Sequence, residues 1–188
     1  MYLIGAYKVH VKTPTVTSAL ARLEPAEEAD MPTSSQWSFN WKELWKRTDF
    51  ENQYIIKLSY NNILLGLLRY DVYSNEEGIP YGVEILQLES VSKQTALVAP
   101  VGQWLVWYAT QVALTFCFFD KYDETLVNLD SLEDAISYYK DIIEMKPLGW
   151  VTIAPGEDGY AFEFDVTGAR YFCERQKTRY GYPERIYP

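Results

Sequence analysis

From Ala96 to Phe119 the chain carries no charged side chain. A run of this length has to be hidden from water, either in a bilayer or in the middle of a folded domain. Pro100 and Gly102 read as the start of a helix, which makes the helix shorter than the uncharged run. Gln103, Thr110, Gln111 and Thr115 bring polar groups that lipid would satisfy poorly. The flanks, Lys93 on one side and Asp120-Lys121 on the other, give no orientation signal. The expectation is therefore a buried helix covered on all sides by other elements, with no membrane partner. The opening segment, Met1 to Val11, has mixed polarity and no small-residue cleavage site, so no signal peptide is expected.

The covering elements read mainly as strands. Tyr2 to Val11 is β-rich and loosely alternating, and Lys12 to Ser18, with Pro14 and several hydroxyl residues, is a connector. Leu20 to Leu23 reads as a short strand, followed by an acidic turn, Pro25 to Asp30. Trp37, Trp41 and Trp45 recur every four residues, which places three indoles on one helical face, more simply as core packing than as a ligand wall. Tyr54 to Tyr60 and Ile63 to Tyr73 flank Asn61-Asn62, a hairpin turn. With Val83 to Val91 they form an antiparallel meander ahead of the apolar helix. Beyond it, Leu126 to Leu129 reads as a buried strand. Ser131-Leu132-Glu133-Asp134 reads as a capping box opening a helix that buries Leu132, Ile136, Tyr139 and Ile143 and ends at Pro147 and Gly149. Trp150 to Ala154 and Tyr160 to Val166 make a last pair of strands, and an aromatic, basic tail follows from Arg170. The order β, β, α, β, β, β, α, β, α, β, β predicts a mixed α/β sheet.

Bulk properties narrow the function. The 188 residues fit one domain, and a 48% hydrophobic content is ample for a core. With 17 basic against 26 acidic residues, the net charge of -9 repels phosphate backbones, so no nucleic-acid partner is expected, whereas amines would be attracted. Two cysteines in apolar settings, Cys117 and Cys173, fit a reducing cytoplasm. They lack the further ligands that a structural zinc needs, so no metal is expected. His10, the one histidine, lies in a strand-like run near the terminus, which leaves little room for a Ser-His-Asp or Cys-His machine.

This element order resembles the GNAT superfamily of acyl-coenzyme A N-acyltransferases, and five local patterns agree with it over about residues 19 to 166. Ala21 to Asp30 resembles the opening strand and its acidic turn. Ile63-Leu64-Leu65-Gly66-Leu67-Leu68 resembles the strand with a glycine after aliphatic residues. Glu84 to Val91 resembles the central strand that pairs with pantetheine. Val101 to Val106 resembles the start of the phosphate-binding helix, and Leu132 to Lys140 resembles the segment carrying alanine and a later tyrosine. The resemblance implies a GNAT-like domain over 19–188 with an extra N-terminal strand in 1–18. It implies acetyl-CoA or another acyl-coenzyme A as co-substrate, and transfer of the acyl group through a ternary complex to an amine, on a small molecule or a protein. It allows a homodimer. The pattern departs from the family at the phosphate loop: Leu97 to Gly102 retains only the final glycine of Gln/Arg-x-x-Gly-x-Gly/Ala, and Pro100 removes a backbone donor.

Acyl transfer to an amine needs a base for the ammonium, polarisation of the carbonyl and a proton for the thiolate. Glu84 and Glu89 are the carboxylates on the central strand. Five residues apart, they point to opposite faces of a regular strand, and a bulge between them would change that parity. The resemblance favours Glu84 as the base, although a solvated edge carboxylate would look the same. It assigns cofactor contacts to Leu88, Glu89, Ser90, Val101, Gly102 and Gln103, and the thiolate-protonating phenol to Tyr139, with Tyr138 as the neighbouring candidate and core packing as the other reading of both. Two further readings are a GNAT-fold binding module without catalysis, and an acidic, aromatic-rich interaction protein of the immunity or adaptor kind.

Overall fold

A computed structural model of the chain describes residues 1–33, 35–91, 98–120 and 124–187. Among these residues, β1 (Ala6–Val11), β2 (Ala19–Pro25), β3 (Gln53–Tyr60), β4 (Ile63–Ser74), β5 (Pro80–Ser90), β6 (Thr125–Leu132), β7 (Lys146–Ala154), β8 (Glu157–Asp165) and β9 (Glu184–Ile186) form one sheet. Their order is β7-β8-β6-β5-β4-β3-β2-β1-β9. Neighbours run antiparallel except β5 and β6, which are parallel. A parallel pair needs a crossover, and the uncharged run supplies it as α2 (Gly102–Phe116). No helix among the described residues is long and apolar enough to cross a membrane.

Side-chain alternation divides the sheet into two unequal faces. Ile56, Leu58, Leu68, Tyr70, Val72, Val83 and Ile85 point toward α2 and join its Trp104, Leu105, Tyr108 and Val112 in the main core. α3 (Val166–Tyr180) packs on the same side, with Phe172 stacked on Phe164 at 5.3 Å. On the opposite face α1 (Trp41–Arg47) covers a smaller cluster of Met31, Trp41, Ile55 and Leu67. Trp41 and Trp45 lie on α1, but Asn40 caps that helix through Glu43 N–H at 3.3 Å, so Trp37 packs on the same cluster from outside the helix.

The seat of α2 is set by Gly66 on β4. A methyl group there would sit 2.6 Å from Val101 Cγ1 and 2.8 Å from Leu105 Cδ1, so the missing side chain is what lets the first turn of α2 lie on the sheet. β1 and the residue before it are fastened to the same helix. Trp104 Nε1 donates to His10 O at 2.8 Å, and Tyr108 Oη donates to Gly5 O at 3.0 Å. β1 thus lies between β2 and β9 in the one sheet, with Val9 and Val11 in the main core.

Three local expectations are corrected. Ser131 ends up in β6, its hydroxyl donating to Leu132 O, because β8 pairs with β6 as far as Leu132. The helical segment begins only at Glu133 as one 3-10 turn, becomes a wide π-type helix over Tyr138–Ile143, and stops at Glu144, whose φ is 64°. Pro147 and Gly149 belong to β7. The aromatic, basic tail from Arg170 continues α3, which Asp165 caps by accepting from Gly168 N–H at 2.6 Å, and β9 follows.

Burial pushes the Cys117 and Cys173 thiols up to about 12. A raised thiol favours the folded state fully below the unfolded value near 8.5, and that contribution is lost as pH climbs toward 12. At pH 8 a thiol reagent is therefore expected to label the native protein slowly and both cysteines at once on denaturation; fast native labelling would contradict the burial. Gly66→Ala is expected to cost about 1–3 kcal/mol in urea denaturation, because α2 has to shift to admit the methyl group.

Candidate functional site

The pairing of β5 changes along its length. On one side it follows β4 to the end, as far as Ser90 opposite Gly66. On the other it pairs with β6 only from Val83 opposite Val127 to Ile85 opposite Leu129. Beyond that point β6 continues with β8, through Asp130, Ser131 and Leu132 opposite Ala161, Tyr160 and Gly159. The two strands therefore part, and among the described residues the β6 side of β5 from Gln87 onward carries no strand partner. The divergence starts at a bulge. Arg69 faces Gln87 and Tyr70 faces Ile85, which leaves Leu86 as an extra residue. A bulge raises local twist and bends its strand, which swings β5 away from β6.

The gap opens into a cleft of about 630 Å³. Leu88, Glu89, Ser90 and Val91 form one wall, and Pro100, Val101, Gly102 and Gln103 at the start of α2 form the floor. Tyr138, Tyr139 and Ile142 of the π-type segment and Tyr180 at the end of α3 close the opposite side. Gln36 and Ser38 reach it from the α1 face. Leu88 lies opposite Leu68 on the α2 face and Glu89 opposite Leu67 on the α1 face, so the cleft touches both faces of the sheet. All six residues expected to contact the cofactor, and Tyr139 and Tyr138 with them, line this one cleft. Lys93 falls outside the described residues.

The bulge also resets the parity of the two carboxylates. Glu84 faces Asp71, Gln87 faces Arg69 and Glu89 faces Leu67, which puts all three on the α1 face. They are used differently. Glu89 accepts from Ser38 N–H, from Phe39 N–H at 3.2 Å and from the buried Trp41 Nε1 at 2.8 Å, so it pins the loop that leads into α1. Glu84 is not among the lining residues of the cleft. Its carboxylate accepts from Tyr73 Oη, and the Tyr73 ring stacks on Tyr81 at 6.3 Å.

At the floor, the first turn of α2 has no side-chain cap. Trp104 and Leu105 N–H both bond back to Val101 O, at 3.1 and 3.2 Å, so the N–H groups before them are the ones left to face the cleft. Gly102 is the contact point with the opposite wall: a methyl group on it would lie 2.5 Å from Tyr138 Oη and 3.6 Å from Leu88 Cδ2. Burial holds the Tyr139 phenol well above the usual tyrosine range, and it raises Tyr138 likewise, helped by Tyr139 and Tyr180. Both are thus protonated donors at neutral pH.

Solved structures of similar fold include acetyltransferases. The chain superposes on Mycobacterium smegmatis RimJ in complex with CoA-disulfide (TM-score 0.55, 10% identity, 96% of this chain and 97% of that one). It superposes equally on a GNAT-family acetyltransferase from Bacillus cereus ATCC 10987 (TM-score 0.54, 12% identity, 78% and 98%) and on a putative acetyltransferase (TM-score 0.59, 9% identity, 85% and 93%). The chain has the GNAT fold. No protein-family model matches the sequence, and no curated protein does.

Within this GNAT fold, Gln36, Ser38 and Tyr180 are lining residues that the sequence did not disclose. Tyr180 had a signal in the chain: Ala169, Phe172, Cys173, Gln176 and Tyr180 recur at spacings of three and four behind the Asp165 cap. Ser38 is brought in by Glu89, a pairing across 51 residues that no local pattern encodes. Glu89→Ala is expected to strand the buried Trp41 indole, lower stability by about 1–3 kcal/mol in urea denaturation and open the 36–40 loop to protease.

Proposed function

We propose that this protein transfers an acyl group from coenzyme A to an amine. The observation that carries the reading is the parting of β5 from β6 after Ile85, which leaves a strand edge exposed beside the start of α2. A narrow, amide-bearing arm can add to such an edge as a further strand through main-chain hydrogen bonds. The free N–H groups at Val101, Gly102 and Gln103 suit the diphosphate at the end of that arm. These two features support a thioester position next to Leu88 to Ser90 and close to Tyr139.

In this reading the amine attacks the thioester carbonyl while donor and acceptor are bound together. Main-chain N–H groups near Leu88 and Ser90 polarise the carbonyl oxygen. The amine nitrogen loses its proton to Glu84, directly or through water, and the new amide bond forms as the carbon–sulfur bond breaks. The departing sulfur takes its proton from Tyr139, and the phenolate is reprotonated from solvent before the next turnover. Glu84 belongs here because the bulge turns it to the face opposite α2, from which an acceptor can approach without crossing the donor.

Calorimetric titration with acetyl-CoA is expected to give saturable binding, and Gly102→Glu is expected to abolish it by driving a carboxylate into Tyr138 and the phosphate position. Unchanged affinity in that variant would remove the placement of the donor. Tyr139→Phe is expected to lower kcat by about 100-fold with acetyl-CoA affinity intact, the scale of a lost general acid. A second reading, a coenzyme A-binding module without catalysis, is favoured by Glu84 standing outside the cleft lining. Tight acetyl-CoA binding with no turnover on any amine, and no effect of Glu84→Gln, would decide for it.

A further inference from the structure

The cleft wall has an electrostatic gap. Among the described residues its lining holds two carboxylates, Glu89 and Asp134, and no lysine or arginine. Among the described lining residues, a ligand with several phosphates would meet the N–H groups of one helix turn and no cation. Positive charge stands nearby on the two ends of the chain. Lys12, just past β1, exchanges main-chain hydrogen bonds with Ala99: Lys12 N–H donates to Ala99 O at 2.7 Å and Ala99 N–H to Lys12 O at 3.0 Å. That pairing, together with the Trp104 bond to His10, holds Lys12 directly beside the entry to α2.

Tyr180 comes from the other end. It closes α3, its ring lies 6.2 Å from Trp104, and it lines the cleft. Two cations share that ring: Lys12 Nζ at 5.9 Å and Arg179 Cζ at 5.4 Å from its centroid. Both side chains are exposed, and among the described residues neither is in an ion pair. In a chain of net charge -9, two unneutralised cations held by main chain and ring against one mouth of a cleft are poised for an anion.

We infer that Lys12 and Arg179 form the cationic half of a phosphate site at the mouth of this cleft, with the first-turn N–H groups of α2 as the other half. The ligand it takes is a phosphorylated nucleotide carrying a narrow arm. This deepens the coenzyme A reading and rests on it. It also gives the N-terminal strand and the C-terminal helix a common role, since together they bring to the site the charge that the loop before α2 lacks among the described residues. Arginine offers a fork of donors to a phosphate and lysine a mobile point charge, so the two can serve different phosphates of one ligand.

The test is calorimetry on the full chain with acetyl-CoA, dephospho-CoA and S-acetylpantetheine, for the native protein, Lys12→Gln, Arg179→Gln and the double variant. Each single change is expected to weaken acetyl-CoA by about tenfold and the double change by more, while S-acetylpantetheine, which has no nucleotide phosphates, binds all four proteins alike. Affinity of the native protein for acetyl-CoA is expected to fall with added salt, and less steeply in the double variant. Because both side chains are exposed, melting temperatures should stay together. If the native protein binds acetyl-CoA and both variants bind it equally well, this inference falls and the coenzyme A reading stands. Equal losses with S-acetylpantetheine would make the effect structural and also overturn it. No binding of acetyl-CoA by the native protein would remove both.

Discussion

Because α2 carries no charge over its 15 residues, every face of it has to be covered, and the molecule is arranged around that need. The sheet covers one side through Leu68, Tyr70 and Ile85, α3 covers another through Phe172 and Cys173, and β1 closes the remainder by hydrogen bonds to the indole of Trp104 and the phenol of Tyr108. Enclosure of a helix this apolar is driven by area removed from water and has no directional preference of its own. Direction comes from Gly66, where the lack of a side chain admits Val101 and Leu105, and from the two hydrogen bonds to β1. The start of α2 is thereby held at the point where β5 leaves β6. The fold and the cleft are set by the same contacts.

What could be read from the chain follows from how local each signal is. Strand alternation in Gln53–Tyr60, Ile63–Ser74 and Pro80–Ser90 depends on side-chain burial two residues apart, so the meander was legible, as was the helix in the uncharged run. α3 was not, because its apolar face is narrow and its basic residues, Arg170, Arg175, Lys177 and Arg179, gave the segment the composition of a tail. Ser131 has the chemistry of a cap but is claimed by the β6–β8 ladder, a pairing with Tyr160 that local sequence does not announce. The bulge at Leu86 was legible only as a condition: without it Glu84 and Glu89 lie on opposite faces, with it they share one. Nothing in the side chain of a leucine says whether it is paired or extra.

The net charge of the protein and the charge of its proposed donor have the same sign, and the conflict is resolved by distance. Exposed charges farther apart than about 8–10 Å are largely screened at physiological ionic strength. A surplus of carboxylates spread over the surface therefore weighs less on a bound phosphate than two cations within reach of it. The carboxylate in the cleft wall that would matter most, Glu89, is already engaged by three donors, and its field is directed into the loop before α1. An acidic protein can in this way hold an anionic ligand at one end of a cleft and attract a cationic amine toward the other.

A site made from main chain leaves little trace in side chains. The exposed edge of β5 offers N–H and C=O groups that every residue except proline possesses, and the turn that opens α2 does the same. The gap in this chain needs a bulge, a glycine under a helix and a strand that bends away, and few particular residues besides. The requirement that is specific is steric. At Gly66, beneath the helix start, and at Gly102, in the cleft, an added methyl group would meet the side chains of Val101 and Tyr138 at 2.6 and 2.5 Å, closer than packed atoms approach, so those side chains would have to move to admit it. A loop that lacks the family consensus can still present phosphate-facing N–H groups, provided that the helix behind it stays seated and the cationic charge arrives from elsewhere in the chain.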